Sequence, residues 1–558
     1  MIGRAAGVAA APGATDNPAM TEPAPPRRIS GALAVAAGIF LSRIAGLVRE
    51  RVVSHYLGLT VPAGAFRAAL RIPNLLQNLF GEGVLSASFI PVYSRLRAEG
   101  RIEDASRVAR AVGSLLAMVA SSLAVIGVVA ARPLVDVLAP GFTGEGRELT
   151  IRLVQILFPG VALLVMSAWC LGVLNSHRRF FLSYVSPVLW NAALIGAAVA
   201  AGRRLAGRGS SADQAEIAVW LAWGAVAGSA AQFLVQLPTV ARLMRSLRPS
   251  LAVRDPGVRA TLSAFGPVLL GRGSVQLSGY IDTVLASYLG ASMVAAISAA
   301  QTLYFLPVSL FGMAVSAAEL PEMSSATGAE AARADQLQAR LRSSLRRVVF
   351  LVVPSAVAFL AIGGSIVALV FQSGEFHATD TQTVWIILTG SAIGLSAGTQ
   401  GRLLSSAFYA LGDPKPPLRA SLVRVAITGV LGWAFALPLR DRLGYSATWG
   451  AFGLTASAGF AAWIEFSLLR RWLAQRIGPV PIPARLGFGA LGAAAVAGAL
   501  GYAAGQLTGA AGLPLVISAV AAIGVFGVGY LGIMIAADVP EARGFTRRLR
   551  RRRPPASS

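Results

Sequence analysis

The stretch from Leu41 to Pro91 reads LSRIAGLVRERVVSHYLG over residues 41–58 and AGAFRAALRIPNLLQNLFGEGVLSASFIP over residues 63–91. Arg43, Arg49, Glu50, Arg51, Arg67, Arg71 and Glu82 all fall inside or beside its apolar segments. A charge at the centre of a bilayer costs at least ~2.5 kcal/mol, so charges kept there face a water-filled path or a partner. That clustering marks the stretch as the candidate functional region.

Its surroundings are almost wholly apolar. Of 558 residues, 55% are hydrophobic and 13% charged, and the mean hydropathy is +0.65. A soluble domain carries about 25% charged residues, so the chain reads as an all-α multispanning membrane protein. The net charge of +24 raises the question of nucleic acid. The basic residues, however, are nearly all arginine and lie in short connections and at the two ends, as topology-setting residues that meet anionic lipid heads do. No nucleic-acid partner is expected. The single cysteine, Cys170, sits in an apolar run, which excludes an intrachain disulfide and argues against a thiol metal site. His55, His177 and His377 lie at segment ends and read as solvated interfacial residues, and no metal site is expected. Residues 1–28, rich in Ala, Pro and Gly, read as a disordered tail rather than a cleavable signal.

With about 20 apolar residues per crossing, fourteen spans are expected. They centre on 31–50, 64–92, 111–131, 151–174, 184–202, 216–238, 260–288, 293–318, 348–371, 382–410, 419–437, 446–469, 485–507 and 513–536. Basic residues concentrate in alternate connections: Arg95 to Arg110, His177 to Arg179, Arg242 to Arg259, Arg333 to Arg347, Lys415 to Arg419, Arg470 to Arg485, and the tail Arg543 to Arg553. By the positive-inside rule these are cytoplasmic, as are both termini. Arg203, Arg204 and Arg208 form the one exception.

A repeat recurs roughly 230 residues apart. Tyr56-Leu57-Gly58 is echoed by Tyr288-Leu289-Gly290, Ser86 to Pro91 by Ser316 to Pro321, and Leu174-Asn175-Ser176 by Leu404-Ser405-Ser406. Six spans separate the copies, and because six is even the copies share one orientation, related by an axis along the membrane normal. The expected organisation is a tail over 1–28, a first lobe of six spans over 29–240, a second lobe over 241–440 completed by a twelfth span over 441–475, two further spans over 476–540 and a basic tail over 541–558. Kinks are expected at Pro159, Pro267 and Pro307.

No nucleotide-binding loop, nucleophile elbow or His/Asp/Glu metal spacing is found, so transport rather than an enzymatic activity is expected, with no cofactor. Arg43 and Arg49, six apart on one helix, are separated by roughly 120° and about 9 Å, so they can line one wide cavity but not one narrow stripe. Arg71 and Glu82, eleven apart, fall on nearly one face of a continuous helix. The planar fork of arginine suits phosphate, and a cavity lined by these residues would attract an anionic, phosphorylated head group. The competing reading has Arg49, Glu50 and Arg51 at the outer end of the first span with Arg43 snorkelling. The second half offers Arg272 and Asp282 on span seven, Arg402 on span ten, Arg424 on span eleven and Glu465 on span twelve as candidate gating or paired charges. Asp282, deep in GYIDTVLASYL, needs a partner, and Arg424 is the expected one.

LSRIAGLVRE, FRAALRIPNLLQNLFGEGVLSASFIPVY, GVLNSHRRFFLSYVSPVLWN, FGMAVSAAELPEMS, LVFQSGEF and LLSSAFYALGDPKPP resemble the MurJ (MviN) family of bacterial lipid II flippases, within the multidrug/oligosaccharidyl-lipid/polysaccharide exporter superfamily. The resemblance covers about residues 30–537. It implies fourteen helices in two lobes, a central cationic cavity, a lipid-tail groove from the last two helices, and transfer of the lipid-linked peptidoglycan precursor from the inner to the outer leaflet of the cytoplasmic membrane by alternating access. By that resemblance Arg43 and Arg49 match cavity arginines, Glu82 matches the glutamate of an EG motif, and Arg71 matches a commonly basic position. Three positions depart from the pattern: Gly64 where an acid is common, and Gln77 and Thr302 where arginines are. Some members hold sodium through an Asp on helix seven with Asn and Asp on helix eleven. Asp282 fits the first, but helix eleven carries Arg424, so no sodium site is expected. The implied partners are the lipid-linked precursor and the phospholipid bilayer. Oligomeric state is left open, with a monomer as the default. The alternatives are a flippase for another polyprenyl-linked glycan and a cation-coupled exporter of small molecules.

Overall fold

The computed structural model describes residues 31–80, 82–205, 210–244, 248–313, 330–480 and 482–543. Helices run α1 (Gly31–Leu57), α2 (Val61–Phe80), α3 (Glu82–Ala98), α4 (Ile102–Val129), α5 (Ala131–Leu138), α6 (Gly144–Ser176), α7 (Phe180–Leu205), α8 (Ser211–Met244), α9 (Pro256–Tyr288) and α10 (Ala291–Pro307). They continue as α11 (Glu330–Ala361), α12 (Gly363–Phe371), α13 (Ala378–Ala410), α14 (Lys415–Ala436), α15 (Pro438–Leu443), α16 (Ala447–Ile477), α17 (Ala484–Ala510) and α18 (Leu515–Ala536). No β-strand is present among the described residues. Backbone polar groups that must satisfy one another inside hydrocarbon leave the helix as the solution for such apolar runs.

Among the described residues ten helices are long and apolar enough to cross a membrane, which makes this a multi-pass membrane protein. The other four expected crossings fall on α1, α2 with α3, α9 and α13, which are absent from that set. These are the segments that carry Arg43, Arg49, Arg67, Arg71, Asp282 and Arg402. The second expected crossing is covered by α2, to Phe80, and α3, from Glu82; Gly81 between them, and the Glu82 side chain expected to share a face with Arg71, lie outside the described residues. The tail over 1–28, the tail over 541–558 beyond residue 543, and the repeat copy at 316–321 lie outside the described residues.

Local chemistry sets the helix ends. Asp255 caps α9, accepting from Gly257 N at 2.8 Å and Val258 N at 3.4 Å, with Pro256 in the first turn where its missing N–H costs nothing. Both Tyr-Leu-Gly copies close a helix with a glycine at positive φ, Gly58 at +54° and Gly290 at +107°. Pro159, Pro187, Pro238 and Pro354 are absorbed inside helices. Pro307 is instead followed by a π-helical turn, Val308–Met313, consistent with the donor it removes. His177 is half-buried rather than solvated, with its Nε2 3.0 Å from the Tyr93 hydroxyl.

One hydrophobic cluster draws its buried members from residues 53–258 and Ala295. A second draws on residues 285–454 together with Ala68, Ala139 and Phe142. A third joins α11 to α17 and α18, where the Tyr530 hydroxyl donates to Phe350 O at 2.7 Å and Arg346 Nε meets Glu541 Oε1 at 2.6 Å.

The first two clusters meet at the C-terminal end of α1 through main-chain groups. Glu375 N donates to His55 O at 2.8 Å, Arg51 Nη1 donates to Leu369 O at 2.6 Å and Val370 O at 2.8 Å, and Gly141 N donates to Ser287 Oγ at 3.0 Å. Gly64 at the start of α2 lies so near α10 that a Cβ there would sit 1.9 Å from Ala291 O. Gly141 is as constrained, with its Cβ position 2.3 Å from Ser287 O. Gly64 therefore serves a close helix approach, and no acidic side chain fits in its place.

Gly64→Ala is expected to lower stability by about 1–3 kcal/mol, the usual range for overpacking. Gly196→Ala, at a helical glycine with nothing within 4 Å, should be neutral or mildly stabilising. Thermal unfolding of the two variants in detergent checks this, and equal midpoints would disprove the close-approach role of Gly64.

Candidate functional site

The charges of α1 and α2 converge on a cavity of about 480 Å³. Its lining includes Arg49, Glu50, Arg67, Arg71, Asn74, Trp190, Tyr280, Gln301 and Thr302. Arg49, Asn74 and Trp190 also line an adjoining space of about 610 Å³, with Arg43, Gln77, Tyr184, Asn191 and Gln232. The first space lies between α1, α2 and α7 on one side and α9 and α10 on the other, whereas the second is lined by α1, α2, α6, α7 and α8.

Glu50 is the organising group. Its Oε1 accepts from Arg49 Nη2 at 2.6 Å and its Oε2 from Arg67 Nη1 at 2.6 Å, so each carboxylate oxygen holds one guanidinium. Arg49 also donates to Asn191 Oδ1 at 2.9 Å and lies over the Trp190 ring at 5.1 Å. Arg67 reaches Ser54 Oγ at 3.5 Å, while its Nε is buried with no hydrogen-bond partner among the described residues.

Arg71 faces the other way and ties α2 to the second half of the chain. It donates to Gly279 O at 3.0 Å on α9 and to Gln301 Oε1 at 2.9 Å on α10, and the Tyr280 hydroxyl returns a bond to Arg71 O at 2.9 Å. Arg43, by contrast, is exposed and makes no hydrogen bond or ion pair with the described residues. Side-chain exposure falls from Arg49 at 22% through Glu50 at 14% to Arg67 at 9%, so the charges become more enclosed along this path. Four guanidiniums against one carboxylate leave these two spaces net positive, with planar donors suited to a phosphate.

A smaller cavity of about 130 Å³ lies behind Gln301, lined by Asp282, Tyr304, Ser391, Arg424 and Thr455. Asp282 Oδ1 is buried without a hydrogen-bond partner among the described residues. Arg424, its foreseen partner, shares this cavity but donates to Glu465 Oε2 at 3.1 Å. Helix α14 packs along α16, which brings Glu465 within reach.

Of the remaining candidates, Arg402 is exposed on α13, its side chain without a hydrogen bond or ion pair among the described residues. Glu82 and Arg272 lie on α3 and α9, with side chains outside the described residues. Gln77 and Thr302 line the two spaces as uncharged residues. Arg67 stood in the charge cluster without an assigned role, and Trp190, Asn191 and Gln301 were not singled out in sequence. Arg67 carried the same signal as its neighbours, a charge in an apolar run, and Trp190-Asn191 closes a block used for the family resemblance. Gln301 gives no such signal, because a neutral amide in an apolar helix does not announce its partner.

A family model described as lipid II flippase MurJ matches residues 53–526. The lipid II flippase MurJ of Burkholderia cenocepacia is 31% identical over 463 residues, covering 82% of this chain and 86% of that protein. A probable lipid II flippase MurJ of Rhizobium tropici is 29% identical over 435 residues, 76% of each. Among solved structures, a lipid II flippase MurJ in an inward closed conformation aligns with a TM-score of 0.71 at 18% identity, over 90% of this chain and 99% of that one. An inward-facing multidrug resistance MATE family transporter of the MOP superfamily aligns at 0.61 and 18% identity, over 80% and 98%. At such identities the structural likenesses speak for the fold alone.

In a double-mutant cycle, Arg424→Gln and Glu465→Gln are expected to depart from additivity by about 1 kcal/mol or more. Arg424→Gln with Asp282→Asn should couple less. Thermal unfolding of the single and double variants measures both terms, and a larger coupling to Asp282 would reverse the pairing.

Proposed function

The chain belongs to the lipid II flippase MurJ family, and from that membership we propose that it carries lipid II, the undecaprenyl-pyrophosphate-linked peptidoglycan precursor, from the inner to the outer leaflet by alternating access. The observation that supports this reading most directly is the group of Arg43, Arg49, Arg67 and Arg71 along two adjoining spaces, one between the two halves of the chain and one within the first half. A pyrophosphate presents two adjacent anionic groups to such forks. Arg43, without a hydrogen bond or ion pair among the described residues, and Arg49, held by Glu50 and Asn191, take the pyrophosphate; Arg71 and Glu82 shape or gate the cavity.

In this reading fourteen spans form two six-helix lobes, both termini are cytoplasmic, and α17 with α18 lines a groove for the lipid tail. Rocking of the lobes carries the cavity from one leaflet to the other, with no chemical step on the substrate. Moving one charge through the membrane potential is worth ~2.3 kcal/mol per 100 mV, an adequate drive. Asp282, Arg272, Arg402 and Arg424 are placed as gating or charge-balancing groups of the second lobe. A second reading, another polyprenyl-linked glycan as cargo, is favoured by the uncharged Gln77 and Thr302 in the cavity wall.

Complementation of a bacterium depleted of its own lipid II flippase tests the proposal. Wild type should rescue growth, and Arg43→Ala and Arg49→Ala should not. Failure of well-expressed wild type would move the second reading ahead, and rescue undiminished by either alanine would remove the phosphate roles. Thermal unfolding should separate the two variants. Arg43→Ala, which breaks no hydrogen bond or ion pair among the described residues, should stay within about 0.5 kcal/mol of wild type, whereas Arg49→Ala leaves one oxygen of Glu50 unpaired and should be distinctly less stable.

A further inference from the structure

Away from the central cavity, a space of about 440 Å³ lies where the end of α16 meets the link to α17. Its lining includes Trp463, Ser467, Arg470, Arg471, Val480 and Ile482. None of its described lining residues is acidic. We propose that it is a binding site for the phosphodiester head group of an anionic phospholipid.

Three features carry the assignment. Positions 463, 467, 470 and 471 recur at offsets of four, seven and eight, which places them along one side of α16. That side grades from apolar to cationic: Phe460 and Trp463 are 54% and 41% exposed, and Arg470 and Arg471 follow roughly two turns later, about 12 Å along the axis from Trp463 to Arg471. Phospholipids have the same polarity, with a charged end at the membrane boundary and chains running inward.

The second feature is position. α16 and α17 are both among the membrane-crossing helices, Ala447–Ile477 and Ala484–Ala510, so the link between them lies at a membrane surface. Basic pockets between membrane helices at that level suit anionic head groups.

The third is that the cations are arranged but not neutralised. Arg470 uses its Nε to donate to Val480 O at 3.1 Å, which fixes the guanidinium under the link and leaves both terminal nitrogens for a ligand. Arg471 makes no hydrogen bond or ion pair with the described residues. The nearby Arg476 is engaged elsewhere, at 3.2 Å from Asp413 Oδ2. A free phosphate would satisfy the same guanidiniums, but it would make no use of the apolar face that leads away from them.

The full chain in detergent can be titrated with phosphatidylglycerol, with phosphatidylcholine of the same acyl chains and with inorganic phosphate, following the thermal unfolding midpoint and the number of lipids retained in native mass spectrometry. Phosphatidylglycerol should stabilise and be retained, and the other two should not. Arg470→Gln and Arg471→Gln should each weaken it about fivefold, and Arg476→Gln should not. Because Arg470→Gln also breaks the bond to Val480, Arg471→Gln is the deciding variant. Unchanged phosphatidylglycerol binding in Arg471→Gln, equal weakening in Arg476→Gln, or an equal response to phosphatidylcholine or inorganic phosphate would each overturn the proposal.

Discussion

The carboxylate of Glu50, shared between Arg49 and Arg67, is the interaction on which the interior depends. Without it two guanidiniums would stand together in a partly dry space, where their repulsion and desolvation add. With it, α1 and α2 are joined by a charge pattern rather than by extensive contact, for these two helices touch little along their lengths. The arrangement keeps both arginines in place while leaving the cavity net positive. In the proposed reading a phosphate entering from the Arg43 side would meet Arg43 first and the Glu50-held donors afterwards, so Glu50 would act as an internal competitor for the ligand. Such competition limits affinity, and a carrier that must release its cargo benefits from that limit.

Around this interior the halves of the molecule meet in two chemically different ways. At the C-terminal end of α1 they join through main-chain bonds and through Gly64 and Gly141, where there is no room for a side chain. Midway along they join through Arg71, whose two donors reach α9 and α10. Any separation of the halves there has to exchange those two bonds for others, to water or to a ligand. Arg71 is therefore placed where a head group in the cavity and the distance between the halves act on the same side chain.

Much of this was legible in the residues. A charge in an apolar run is costly enough to carry meaning by itself, and that cost identified Arg43, Arg49 and Arg71 before any geometry was known. Pairing was less legible. Arg424 and Asp282 looked like partners as isolated opposite charges, but the rotation of α14 and its packing against α16 present Glu465 instead. Gly64 read as a missing acid, and its reason, the backbone of Ala291, lies more than 200 positions away.

The junction at the end of α1 has one further consequence. Its contacts are amide hydrogens, carbonyl oxygens, a hydroxyl and the always-protonated guanidinium of Arg51. These bonds carry no group that changes charge, but the His55 ring beside Gly374 and the Glu375 carboxylate, which accepts from Gln214 Nε2 at 3.3 Å, stand next to them. The seam is therefore held by bonds of fixed charge and fixed length, and parting the helices there means breaking them one by one rather than loosening a soft apolar contact.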